Sequence, residues 1–301
     1  MNSAKILTNE DLLKKILEIR IFEELLSKSY SKSVIRCPVH LAIGHEASAV
    51  GICAHLNQED IVFGYHRSHH HFLAKGGSAE SLLLELLGTA TGCSGGHGGS
   101  THLRSQTNGF LGSTAIISGT IPIAVGYAHA LKLKQKKRLV VCFSGDASIE
   151  EGVFFESLNI ASLWNLPIAF VIEDNNLSCY TDKASRQSFI DYQKICDFFR
   201  INYLEFSGFD VHRIYSETTK IFQTLKETNR PVLFKINVHR AHEHCGPDED
   251  NYLNYRDIEG LWPTLDPIFF LKKNINSVIY NEIFDETNQK LILLFKKYNL
   301  I

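Results

Sequence analysis

The sequence has no uninterrupted apolar run near the ~20 residues that a bilayer-spanning helix requires. Its start, MNSAKILTNEDLLKK, lacks the apolar stretch of a secretory signal, so a cytoplasmic protein without a membrane partner is expected. Neither sign of charge dominates. The 31 Lys and Arg against 33 Asp and Glu leave a net charge of -2, too weak a field to steer nucleic acid, which is not expected as a partner. The seven cysteines are odd in number, scattered and never spaced as CxxC, which disfavours a disulfide framework and a Cys-rich zinc site. Internal repeats, low-complexity linkers and composition breaks are also missing. The 301 residues, 44% of them hydrophobic, are therefore expected to form a single α/β domain (1–301) with helical N- and C-terminal flanks.

The capping-box-like TNED at 8–11, followed by Leu12, Leu13, Ile16, Leu17, Phe22, Leu25 and Leu26, predicts an amphipathic opening helix. A second helix is expected over 78–88, and the glycine-rich GCSGGHGGSTHL at 92–103 must be a loop. Strand-like runs at 138–146, 168–176 and 231–238 then alternate with helix-like stretches at 151–165 and 216–229. Such alternation predicts βαβ units and a parallel sheet. After Asp266 the apolar spacing is helical again.

Two of those strands end in polar residues, Ser144-Gly145-Asp146 and Glu173-Asp174-Asn175-Asn176. Ligands of open parallel sheets sit beyond the carboxyl ends of the strands. Asp146 and Asn175 stand 29 positions apart, the span of a strand tip, a crossover helix and a return strand. A carboxylate, an amide oxygen and a backbone carbonyl just downstream suit Mg²⁺, with phosphate oxygens completing its shell; a helix start near Glu151 would add a positive end. Asp and Asn at strand ends are also common turn formers.

The stretch GDASIEEGVFFESLNIASLWNLPIAFVIEDNN resembles the thiamine diphosphate motif of the alpha subunits of the 2-oxo acid dehydrogenase decarboxylase component, the family of pyruvate, branched-chain and acetoin dehydrogenases. Similarity continues in register through HLAIGHEAS (40–48), GYHRSHHHFLAKG (64–76), LLGTATGCSGGHGGSTHL (86–103), AIISGTIPIAVGYA (115–128) and HRAHEHCGPDEDNYLNYR (239–256). It implies the α/β thiamine-diphosphate-binding fold, with a parallel sheet flanked by helices, and thiamine diphosphate with Mg²⁺ as cofactors.

By that resemblance Asp146, Asn175 and the Leu177 carbonyl are the metal ligands, with Asn176 a weaker alternative. Ala147 stands where the family has a second glycine, and Ser148 follows it in the cofactor turn. His66 and Arg67 align with the family's tyrosine-arginine pair beside the diphosphate; Arg67 offers a planar fork of donors. Ala115 and Ile117 align with the segment gripping the aminopyrimidine, although a plain core helix explains AIISGTIPIAVG almost as well. His40, His69 and His244 are the candidate catalytic histidines, His40 and His244 on the substrate side of the thiazolium, where imidazole can move protons near neutrality.

The resemblance further implies a beta subunit supplying the activating glutamate in an α₂β₂ heterotetramer, a 2-oxo acid or ketone substrate, and a lipoyl domain as acceptor. Cys245 occupies the place of a phosphorylatable serine found in many members, so phosphorylation there is not expected. Three rivals stay open. One keeps the cofactor for ketol transfer or carboligation on a sugar-derived substrate, as in split transketolase-like enzymes. Another is a zinc metallohydrolase built on HRSHHH and HRAHEH, which the missing HExxH disfavours. The third is a homologue without cofactor.

Overall fold

The computed structural model describes residues 7–188, 191–250, 253, 255, 256 and 262–301. In chain order the helices are α1 Asn9–Tyr30, α2 Glu46–Cys53, α3 His69–Ala74, α4 Ala79–Leu86, α5 Thr120–Leu133, α6 Gly152–Leu163, α7 Tyr192–Phe199, α8 Val211–Thr228, α9 Trp262–Leu265, α10 Pro267–Lys272 and α11 Ser277–Lys297. The strands are β1 Ile61–Phe63, β2 Phe110–Gly112, β3 Val140–Gly145, β4 Ile168–Asp174, β5 Leu177–Ser178, β6 Thr181–Asp182, β7 Asn202–Ser207 and β8 Val232–Asn237. Six of them form one parallel sheet in the order β2-β1-β3-β4-β8-β7, and β5 and β6 make a small antiparallel ribbon.

The central strands are apolar throughout because both faces of the sheet are covered. Along β3 and β4 the side chains alternate between two cores. Val141, Phe143, Ala169 and Val171 point to one, packed under α1, α2, α8 and α11. Val140, Cys142, Ile168, Phe170 and Ile172 point to the other, under α5, α6 and α7. Each fully buried large apolar side chain contributes about 1.5–3 kcal/mol. A one-residue register slip would exchange the two faces.

The predicted capping box is present at α1: the Thr8 side chain accepts from the Asp11 amide, and the Asp11 carboxylate accepts from that of Thr8. Such a cap stabilises by about 0.5–2 kcal/mol. Farther along α1, the buried Arg20 pairs with Glu46 of α2 at 2.6 Å and with both carboxylate oxygens of Asp266, the cap of α10. The N- and C-terminal helices are thereby fastened to one side of the sheet.

Order β2-β1-β3 reverses direction between β1 and β3, since the chain runs outward from β1 to β2 and then crosses to β3. The crevice above such a switch point is where open α/β sheets bind ligands. The site lies there.

Candidate active site

A cavity of about 240 Å³ opens beyond the carboxyl ends of β1, β3 and β4. Tyr65, His66 and Arg67 leave the tip of β1, Asp146, Ala147 and Ser148 that of β3, and Asn175 and Leu177 that of β4. Ala115 and Ile117 come from the loop before α5, and Arg240 and His244 from the segment after β8. His40 completes the wall. Eleven of the twelve residues expected in the site thus face one space.

Tight backbone tethers bring these segments together. His40 forms a parallel bridge with Gly246, whose amide donates to the Val39 carbonyl at 2.9 Å. The Arg67 guanidinium donates to the carbonyls of His244, at 2.9 Å, and of Leu41. Ser118 Oγ donates to the Ser148 carbonyl at 2.7 Å, joining the Ala115–Ile117 loop to the turn below Asp146.

Arg67 and Arg240 are 1% and 2% exposed. Arg240 donates to the His242 and Cys179 carbonyls and to Tyr255 Oη. Neither guanidinium meets a carboxylate among the described residues, and burial lowers Arg67 to about 10. Two buried cations whose direct hydrogen-bond partners among the described residues are carbonyls and one hydroxyl favour an anionic guest. Sequence reasoning passed over Arg240, although it stands inside the HRAHEH stretch that was singled out for its histidines. Tyr65 was missed as well; its hydroxyl donates to Glu173 at 2.6 Å.

Opposite the guanidiniums, Asp146 is 2% exposed, and burial with the nearby Asp174 raises its carboxyl to about 6 against the opposing pull of Arg186. Arg186 donates to Asp146 at 2.7 Å and also pairs with Glu150. The Asn175 side-chain oxygen accepts from the Leu177 amide at 2.9 Å. A metal ion on this oxygen set would compete with both contacts. The expected helix start is that of α6, which follows Glu151 and is separated from the strand tip by a 3₁₀ segment, Asp146–Glu150.

His40, His66 and His244 face one another, with ring centroids 4.9, 5.2 and 5.4 Å apart. Burial, reinforced by the Arg67 charge, lowers His40 to about 3, His244 to about 4 and His66 well below the usual imidazole range. All three are neutral at pH 7.

His69 is the exception among the expected residues: it does not line the cavity. It sits fully buried at the start of α3, 3.1 Å from both Glu23 carboxylate oxygens through Nδ1 and 2.8 Å from Ser100 Oγ through Nε2. Ser100 Oγ in turn accepts from the His40 amide at 3.2 Å. His69 thus reaches the His40 backbone through Ser100.

Two carboxylates organise the surroundings. Glu85 of α4 accepts the amides of Ser94, Gly96, Gly98 and Gly99 at 2.6–3.1 Å, folding the glycine-rich loop that delivers Ser100. Gly96 there has φ +77° and an added Cβ would lie 2.5 Å from the Thr89 carbonyl oxygen, so glycine is required. Glu173 accepts from Tyr65 and lies 3.1–3.2 Å from the Nε2 atoms of His70 and His71. Burial pushes His70 to about 4 and His71 down, so they approach Glu173 as neutral imidazoles.

Comparison with known proteins agrees with this arrangement. The dehydrogenase E1 component family matches residues 14–291. The chain is 34% identical over 256 residues to the alpha subunit of acetoin:2,6-dichlorophenolindophenol oxidoreductase from Bacillus subtilis, covering 82% of this chain and 75% of that one. It is 35% identical over 263 residues to the pyruvate dehydrogenase E1 component subunit alpha of Porphyra purpurea, covering 85% and 76%. Among solved structures, transketolase from Campylobacter jejuni superposes with a TM-score of 0.54 at 16% identity over 94% of this chain and 50% of the transketolase chain, a likeness of fold. With the strand-tip motifs, the switch-point cavity and these relatives in agreement, the chain belongs to the dehydrogenase E1 component family.

Proposed function

We propose that this chain is the diphosphate-binding subunit of a thiamine-diphosphate- and Mg²⁺-dependent oxidoreductase that decarboxylates a 2-oxo acid or cleaves a related ketone. The observation that carries the reading is the pairing, across one cavity, of two buried guanidiniums without a carboxylate ion pair among the described residues with the hard oxygens of Asp146, Asn175 and the Leu177 carbonyl. This donor set fits a diphosphate bridged by Mg²⁺. Arg67 and Arg240 would hold the phosphate oxygens and the three oxygens the metal. Ala147 and Ser148 form the turn beneath, and Ala115 and Ile117 would offer main-chain atoms and apolar surface to the cofactor's ring.

Thiamine diphosphate, when bound, supplies the nucleophilic carbon and the electron sink that such cleavage requires. At the substrate end, His40 and His244 present neutral imidazoles able to donate or accept a proton, and His40 Nδ1 is buried without a partner. His69 holds the His40 backbone through Ser100. Tyr65, fixed by Glu173, closes the floor.

A second chain completes the site in this reading, a beta subunit supplying the activating glutamate in an α₂β₂ assembly that passes its product to a lipoyl domain. Support comes from an exposed apolar band: Ile123 and Leu133 on α5 and Phe155 and Leu163 on α6 are 37–70% exposed, with Trp164 beside them. Apolar surface of this kind marks interaction sites. The test is turnover of pyruvate, branched 2-oxo acids and acetoin by the purified complex with a dye acceptor. Acceptor-dependent product formation, lost in Asp146→Asn, supports the proposal. A lengthened ketose formed from an added sugar aldehyde without the dye identifies ketol transfer instead.

A further inference from the structure

Seven of the fourteen histidines, those at 40, 45, 66, 69, 70, 71 and 244, fall into two groups. His45, His69, His70 and His71 are buried and each has a ring nitrogen engaged with a carboxylate, a hydroxyl or both. His40, His66 and His244 differ. They come from three separate segments, their nearest ring nitrogens all lie within 4.8 Å of one another, and none makes a side-chain hydrogen bond to another described residue. Imidazoles held only for structure normally satisfy a ring nitrogen.

We propose that His40, His66 and His244 form a three-nitrogen site for a divalent transition-metal ion of the zinc class, distinct from the oxygen site of Asp146, Asn175 and Leu177. Nitrogen ligands select Zn²⁺, Co²⁺, Ni²⁺ or Cu²⁺, whereas Mg²⁺ takes oxygen. Metal-nitrogen bonds of about 2.0–2.1 Å require the three rings to close inward by small side-chain rotations. The backbones beneath them are already cross-tied by the His40–Gly246 bridge and by the bond from Arg67 to the His244 carbonyl. Three protein ligands leave a fourth position open, and here it faces the cavity. An ion there would stand over the substrate end and block it reversibly. The Arg67 and Arg240 charges oppose a dication, and the nitrogen-metal bonds have to outweigh that repulsion.

The test is a Co²⁺ titration of the full chain without thiamine diphosphate, followed by visible absorption, so that its outcome does not depend on the proposed activity. The expected result is an intense visible band of low-coordinate Co²⁺ saturating at one ion per chain and displaced by Zn²⁺. His66→Phe and His244→Asn, each checked for native circular dichroism, should raise the half-saturation at least tenfold, while Asp146→Asn leaves it unchanged. The proposal is overturned by the absence of the band, by its persistence in both histidine variants, or by its loss in Asp146→Asn.

Discussion

Replacing Arg67 with methionine separates the cost of the buried charge from its use. Burial lowers this guanidinium to about 10, which corresponds to about 3 kcal/mol against the charged form in the folded chain. Methionine fills a similar volume but removes the donors to the Leu41 and His244 carbonyls, about 1 kcal/mol each. The ligand-free Arg67→Met chain should therefore be as stable as the parent or up to about 1–2 kcal/mol more stable, a Tm rise of at most ~3 °C for a chain of this size. Pyrophosphate with Mg²⁺, at about 100 times its Kd, should stabilise the parent by about 2.7 kcal/mol, raising its Tm by ~4–5 °C. Losing a charge-assisted contact worth about 2–3 kcal/mol should erase that rise in the variant. Thermal unfolding by calorimetry, with and without pyrophosphate, reads both numbers. A pyrophosphate shift as large in the variant as in the parent would refute the reasoning, and so would a ligand-free variant melting more than about 5 °C lower.

Further predictions concern the supports of the site. Glu85→Gln removes the charge that accepts four loop amides and should cost about 3 kcal/mol, or ~5 °C in Tm; an unchanged Tm contradicts the assigned role. Because His40, His66, His244, His45 and His70 are all depressed by burial, their stability contribution is fully present above about pH 6.5 and is lost as pH falls towards 4, each by up to about 1.4 kcal/mol per unit. Denaturant titrations should show that steep acid limb, and a stability constant from pH 7 to 4.5 rules it out. Arg186→Gln frees the Asp146 carboxylate from an ion pair worth about 1 kcal/mol, so the Mg²⁺ needed for half-maximal pyrophosphate binding should fall about fivefold; a rise shows that Arg186 itself serves the anion.

The sequence made legible the elements whose signal is local. β3, β4 and β8 stand out because strands covered on both faces must be apolar end to end. β1 and β2 are three residues each, too short for any period, and the edge strand β7 carries a mixed, half-exposed pattern that reads equally well as loop. That the strand-tip residues line one cavity was legible because motif order placed them together. That His69 stands outside the cavity was not legible, because adjacency in HRSHHH says nothing about direction: α3 turns its three histidines inward, to carboxylates on α1 and β4. What Glu85 and Glu173 do was invisible for a related reason. Their roles arise from partners that only the tertiary fold brings near, Tyr65 lying 108 positions from Glu173.

Binding of thiamine diphosphate to the purified complex, by calorimetry with and without Mg²⁺, tests the central claim most directly. The account predicts one cofactor per chain, bound only with Mg²⁺, and at least about a hundredfold weakening, about 2.7 kcal/mol, in Asp146→Asn. Binding that ignores both Mg²⁺ and Asp146, or no binding at all, would contradict it.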